Sequence, residues 1–173
     1  LIEMVCTGNF GRSPVAELIA QQHLAKIRAS EEYGAISSGI LVDAIKKGGF
    51  SVAAMKPVID IAIQRGLYSD AELQAIEEAL RNADRESLEK YFTKAGEIFS
   101  GEERAHREEI LPLLGIPGNT KTTRDQTMPR SDVVAVFPMD KKNYASVTKI
   151  YSGSGYQPSI VVLSAFVTGN PDA

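Results

Sequence analysis

Cys6 and Arg12 stand in the spacing C-x5-R, inside the run CTGNFGRS near the start of the chain. A cysteine thiolate is a nucleophile, and an arginine is a planar fork that can grip two phosphoryl oxygens at once. Gly8 and Gly11 between them can take φ > 0 and let backbone approach a ligand closely. Ser13 suits a helix N-cap and Pro14 the first turn. A loop that feeds a helix in this way aims free N–H groups at one point, where the helix dipole adds partial positive charge. That is a place to hold an anion. The same field favours the thiolate of Cys6.

The strand needed to enter this loop is the apolar run Leu1, Ile2, Met4 and Val5, of the type buried in a parallel sheet. The helix leaving it is expected from Pro14 to about Arg28, with Val15, Leu18, Ile19 and Gln22 at helical spacing. Tyr33 to Ile40 reads as a second strand and Lys46 to Phe50 as a loop. Ser51 to Arg65 reads as a helix with Val58, Ile61, Ala62 and Arg65 on one side; Pro57 must sit in its first turn or kink it. Ser69 to about Gly118 carries twelve Asp and Glu against six Lys and Arg. It has helical periodicity (Leu73, Ile76, Leu80; Leu88, Tyr91, Phe92, Ala95; His106, Ile110, Leu113) and a capping-box start at Ser69 and Glu72. A third strand is expected over Ser131 to Phe137, a helix from Pro138 to about Tyr151, and a fourth strand over Pro158 to Phe166. Alternating helices and apolar strands predict an α/β fold with a parallel sheet covered on both faces.

CTGNFGRS followed by PVAE resembles the loop of the low-molecular-weight protein tyrosine phosphatases, whose form is C-x-G-N-x-x-R-S-P-x-A-E after an N-terminal strand. Cys6, Gly8, Asn9, Arg12, Ser13, Pro14, Ala16 and Glu17 match it. Met139, Asp140 and Asn143 match a second family run, M-D-x-x-N, and Ser37-Ser38-Gly39 resembles a segment of the S-A-G type. The resemblance implies a three-layer sandwich with a four-stranded parallel sheet in the order 2-1-3-4. It also implies one phosphatase-like domain over residues 1–173. In the family the second helix leads almost directly to the third strand, so residues at about 69–118 read as a helical insertion.

The activity implied is phosphomonoester hydrolysis, as a protein tyrosine phosphatase acting through a phosphocysteine on Cys6. Thr7, Gly8, Asn9, Phe10, Gly11, Arg12 and Ser13 would surround the phosphate. Arg12 would follow the charge of the phosphoryl oxygens into the transition state. Ser13 can hydrogen-bond the Cys6 sulfur, or cap the helix, or both; Asn9 would brace the loop. The family's proton donor is an aspartate in a D-P-Y loop, matched in part by Asp172 of Asn170-Pro171-Asp172-Ala173. Asp140 is a competing acid, read instead as an N-terminal helix residue and anchor. Phe10 suits a flat aryl phosphate better than a guanidino phosphate, or else simply packs on the insertion. Gly11 replaces a second loop cysteine found in many relatives, so Cys6 should overoxidise more readily.

The chain has 173 residues, a net charge of −3 and one cysteine. Nothing in this balance attracts nucleic acid. No run of about 18 apolar residues predicts a membrane span, and no signal peptide is read. A lone cysteine forms no intrachain disulfide and fits a reducing, cytoplasmic setting. It also weighs against thioredoxin-coupled arsenate reductases, which share this loop but need two further cysteines. Protein arginine phosphatases, with a small polar residue at the Phe10 position, are another less favoured reading. His23 and His106 are isolated and nothing has metal-ligand spacing, so no metal or cofactor is expected. The expected partners are a phosphotyrosine protein or aryl phosphate and, as product, inorganic phosphate. The alternative is a phosphate-binding or regulatory domain with the loop but little turnover. The insertion reads either as a surface for a protein partner or as inert solvated helices; its acidity would make it a poor site for acidic phosphopeptides.

Overall fold

A computed structural model describes residues 1–116 and 124–168, with side chains through residue 165. In chain order the elements are β1 (Ile2–Cys6), α1 (Arg12–Lys26), β2 (Ala35–Gly39), α2 (Val42–Lys47), α3 (Val52–Gln64), α4 (Asp70–Arg81), α5 (Arg85–Leu113), β3 (Ala135–Pro138), α6 (Lys141–Ser152), β4 (Ser159–Ile160) and α7 (Leu163–Thr168). They fall into two compact units. One holds residues 1–45 and the described residues from 103 onward; the other holds residues 46–102.

The first unit is built on a parallel sheet in the order β2-β1-β3-β4. This is the order implied by the phosphatase resemblance. Alternation along β1 sends its side chains to two different layers. Val5 packs with Val136 and with Val147 and Tyr151 of α6. Met4 and Cys6 pack on the other side with Met139, beside Ala16 and Ala20 of α1 and Leu163 of α7. Helices therefore cover both faces, which is why the strand is apolar almost throughout.

Glu3 interrupts that apolar run on the α6 side and is 2% exposed. Its carboxylate accepts the Ser38 hydroxyl at 2.5 Å and the Tyr151 hydroxyl at 3.1 Å. Ser38 Oγ also meets Thr127 Oγ1 at 2.7 Å. Burial pushes the Glu3 carboxyl above its ordinary pKa, more than these hydrogen bonds pull it down. Burial and the neighbouring Glu3 carboxylate likewise push the Tyr151 hydroxyl up. Thr127 belongs to a segment that runs along the end of β2: Gly39 N donates to the Asp125 carbonyl at 2.8 Å, and Thr127 N to the Gly39 carbonyl at 3.0 Å.

The second unit has its own core, formed by Met55, Ile59 and Ala62 of α3, Ile76 and Ala79 of α4, and Leu88 and Ala95 of α5. The buried stripe of α3 is thus i, i+4, i+7 from Met55. Ile61, expected on that side, is 49% exposed. The stripe is set by what α4 and α5 offer, not by α3's composition alone. Ser51 caps α3, accepting Ala54 N at 3.3 Å, and Pro57 lies inside the helix rather than in its first turn. The capping box of α4 forms as expected between Ser69 and Glu72. Lys94 and the Ser69 N–H pull the Glu72 carboxyl down to about 2.

The expected helical segment at 69–118 consists of α4 and α5, and its far end, Pro117 and Gly118, lies outside the described residues. The second unit also takes in α3, and α5 passes out of that unit at Glu103. From there its buried residues are Arg107 and Leu111; Ile110 and Leu113 are exposed, contrary to the expected face. The fourth strand is shorter than its apolar run suggests. Only Ser159 and Ile160 find partners, on Ala135 and Val136 of β3. The chain then coils into α7, which seats Leu163 against the Met4, Cys6 and Met139 cluster. The short helix α2 was not legible. Among the described residues no helix is long and apolar enough to cross a membrane.

Glu3 gives a pH test of the sheet. A carboxyl whose folded pKa is raised contributes stability in full below its unfolded pKa and loses it as pH rises through the folded value. Glu3→Gln should flatten that decline while keeping an acceptor for Ser38 and Tyr151. Urea unfolding midpoints of both proteins across the acidic to neutral range check this; parallel curves would contradict it.

Candidate functional site

Cys6 is the last residue of β1, is 3% exposed, and heads the loop that leads to α1. Its sulfur accepts the Asn9 backbone N–H at 3.2 Å and the Ser13 hydroxyl at 2.9 Å. A sulfur held by two donors is in an environment suited to negative charge. The loop achieves this through Asn9, not through its glycines. Asn9 sits at φ +55°, whereas Gly8 and Gly11 do not take positive φ. Asparagine tolerates the left-handed region better than most residues. Its amide Nδ2 donates to Ser13 Oγ at 3.0 Å and Ser37 Oγ at 2.9 Å, and its Oδ1 accepts Asp125 N at 3.3 Å.

The glycines serve close approach instead. A Cβ on Gly8 would stand 2.6 Å from the Phe10 ring, and one on Gly11 would stand 3.1 Å from Glu103 of α5. Gly39, at the end of β2, lets that strand pass the loop, since a Cβ there would meet Asn9 N at 2.8 Å.

Helix α1 starts at Arg12 with Gly11 in the cap position and no side-chain cap. Ser13 is therefore not the N-cap. It is the second helical residue, and its hydroxyl goes to the Cys6 sulfur and, at 3.2 Å, to the Ser38 carbonyl. The other end of the motif also finds partners: Glu17 Oε2 accepts the Ser37 hydroxyl at 2.5 Å.

Arg12 is placed at the loop end, but its Nη1 donates to Asp140 Oδ2 at 2.8 Å rather than to the sulfur. Asp140 caps α6, accepting Asn143 N at 2.9 Å. Burial opposes ionisation of Asp140, but the Asn143 N–H and the Arg12 guanidinium outweigh it and hold the carboxyl below the ordinary aspartate range. The Asn143 amide, with its nitrogen on the Asp140 carboxylate, accepts the Thr7 hydroxyl at 3.2 Å. Both family-like runs thus meet at one place: M-D-x-x-N holds the first and last parts of the loop, Thr7 and Arg12.

Phe10 is half-buried, with the Arg124 guanidinium 4.2 Å over its ring. Its carbonyl accepts Arg107 Nη1 at 2.8 Å. Sequence reasoning missed Arg107, Arg124 and Asp125 because nothing in local spacing links them to residues 6–13. Asp172 lies outside the described residues. His23 and His106 are exposed, and among the described residues no cluster of His, Cys, Asp or Glu has the arrangement of a metal site.

No protein-family model and no curated protein matches the chain. Among solved structures, the chain is similar to the crystal structure of YfkJ from Bacillus subtilis. The TM-score is 0.50 and the identity 20%, over 96% of this chain and 70% of that one. The crystal structure of Primo-1 is matched at a TM-score of 0.47 and 17% identity, over 94% of this chain and 69% of that one. At 20% identity the likeness to YfkJ is one of fold.

Asn9→Ala removes three side-chain hydrogen bonds and, at φ +55°, the polar side chain by which asparagine tolerates the left-handed region. It should lower stability by about 1–3 kcal/mol, read from urea unfolding. Asn9→Asp, which tolerates the same φ but loses both donors, should fall as well; an unchanged midpoint in both would show that Asn9 does not hold the loop.

Proposed function

We propose that the chain is a phosphomonoester hydrolase, a protein tyrosine phosphatase acting through a phosphocysteine on Cys6. The observation that carries this reading is the Cys6 sulfur, held by the Asn9 N–H and the Ser13 hydroxyl at the head of a C-x5-R loop that runs into a helix. In the first step the thiolate attacks phosphorus in line. The S–P bond forms as the P–O bond to the leaving group breaks, and Asp172 gives the departing oxygen its proton. In the second, water attacks the phosphocysteine and passes a proton to the same carboxylate. The thiolate leaves, eased by the Ser13 hydroxyl, and inorganic phosphate is released.

Arg12 takes the equatorial phosphoryl oxygens in this scheme, exchanging the Asp140 carboxylate for the phosphoryl group. Asp140 caps α6 and accepts the Asn143 N–H, which supports its role as anchor over that of general acid. The aryl preference gains an argument from Arg124. Its cation over the Phe10 ring would repel a guanidino phosphate, whereas a phosphotyrosine ring carries no positive charge.

The full chain should hydrolyse p-nitrophenyl phosphate, and Cys6→Ser should reduce this to background. Asp172→Asn should lower kcat by about 10²–10⁴-fold, with a larger loss for poorer leaving groups. Wild-type protein that binds vanadate but never turns over would assign the chain to phosphate binding instead. Full turnover in Cys6→Ser would remove the phosphocysteine.

A further inference from the structure

We infer that Arg107, on the part of α5 that belongs to the first unit, is a positioning residue of the loop and the counter-charge to the anion it holds. The inference rests on reading residues 7–13 as a phosphate loop. Arg107 is only 7% exposed. Its Nη1 donates to the Phe10 carbonyl at 2.8 Å, and its buried Nε has no hydrogen-bond partner. Among the described residues no carboxylate lies within 4.0 Å of its guanidinium. Glu103, one turn earlier on the same helix, abuts Gly11 instead.

Among the described residues this largely buried cation has one carbonyl for a partner and is electrostatically incomplete, because buried charges persist where an opposite charge compensates them. A phosphoryl dianion in the adjacent loop is such a charge. The Phe10 carbonyl supplies the mechanical link. Fixing it on Arg107 fixes the plane of the Phe10–Gly11 peptide, whose N–H points the opposite way. Arg107 therefore both orients a loop amide and adds long-range attraction for the anion. It touches no reacting atom. Anion binding and the comfort of Arg107 become two sides of one coupling.

The test uses the full chain with inorganic phosphate and with vanadate, by calorimetric titration and by thermal unfolding with and without anion. Arg107→Met keeps the volume and removes the charge. It should weaken phosphate binding about tenfold, shrink the phosphate-induced rise in Tm, and leave Tm without phosphate equal to or above wild type. Arg107→Lys should recover most of the affinity through its charge. KM for p-nitrophenyl phosphate should rise with the phosphate Kd while kcat changes little. A purely structural role would lower Tm equally with and without phosphate and leave the affinity intact, and that result overturns the inference. Arg107→Gln carries the same comparison if the Met variant does not fold. Phosphate binding without hydrolysis in the wild type, with weaker binding in the variants, sinks the hydrolase reading and sustains this one. Hydrolysis by the wild type, with phosphate affinity equal in wild type and variants, does the reverse.

Discussion

Asn9 turns the chain through φ +55° and commits its side chain to Ser13, Ser37 and the backbone of Asp125. Everything at the site depends on that turn. It brings the Asn9 N–H back to the Cys6 sulfur, and it holds Ser13 where its hydroxyl reaches the same atom. Because Ser37 lies on β2, the loop is registered against a strand and not only against its own backbone. Ser38, the next residue, accepts from Ser13 through its carbonyl and donates its hydroxyl to Glu3 on the opposite face of the sheet. A run of two small hydroxyl residues thus ties the loop to the buried carboxyl beneath the sheet. Larger side chains at these positions could not reach both layers without disturbing the packing.

The charge around the loop runs against the balance of the chain. The protein is net negative, yet Arg12, Arg107 and Arg124 all lie on or against residues 6–13. Two of the three come from beyond the loop, on α5 and on the segment after it. Local potential, not net charge, decides what such a site attracts. Three of the nearby carboxylates sit on defined partners: Asp140 on Arg12 and the α6 cap, Glu17 on Ser37, and Glu3 on Ser38 and Tyr151; Glu103 lies against Gly11.

How far the sequence reaches depends on how local each constraint is. The loop, the first strand and the capping box at Ser69 are local features legible in a few consecutive residues, whereas the helix expected from Pro138 begins only at Lys141, with Asp140 as its cap. The parallel sheet followed from the alternation of apolar runs, and its order from resemblance. What failed was decided by contacts distant in sequence. The glycines of the loop were expected to supply positive φ, but the steric demand came from the Phe10 ring and Glu103, so close approach was their role. Ser13 looks like an N-cap in isolation, and only the nearby sulfur explains why its hydroxyl turns elsewhere. The buried face of α5 changes after Glu103 because the helix enters another unit, which periodicity cannot reveal. The run from Pro158 to Phe166 is apolar enough for a long strand, but only Ser159 and Ile160 pair with β3 before the chain turns into α7.

Arg12 shows why the two family-like runs belong together. A cation at the first position of a helix stands where the macrodipole is unfavourable to it. A carboxylate nearby offsets that unfavourable term. Asp140 does so from the cap of α6, where a carboxylate is favoured by the dipole of its own helix and by the Asn143 N–H. The pair therefore joins two helix N-termini through one carboxylate and one guanidinium, and Asn143 extends the junction to Thr7. An exposed ion pair of this kind contributes little stability by itself. Its worth lies in aim: the guanidinium is held at the loop end by Asp140, the partner that the phosphoryl group would replace in the proposed function. In that proposal the exchange would make the same arginine tolerable before an anion arrives and useful afterwards.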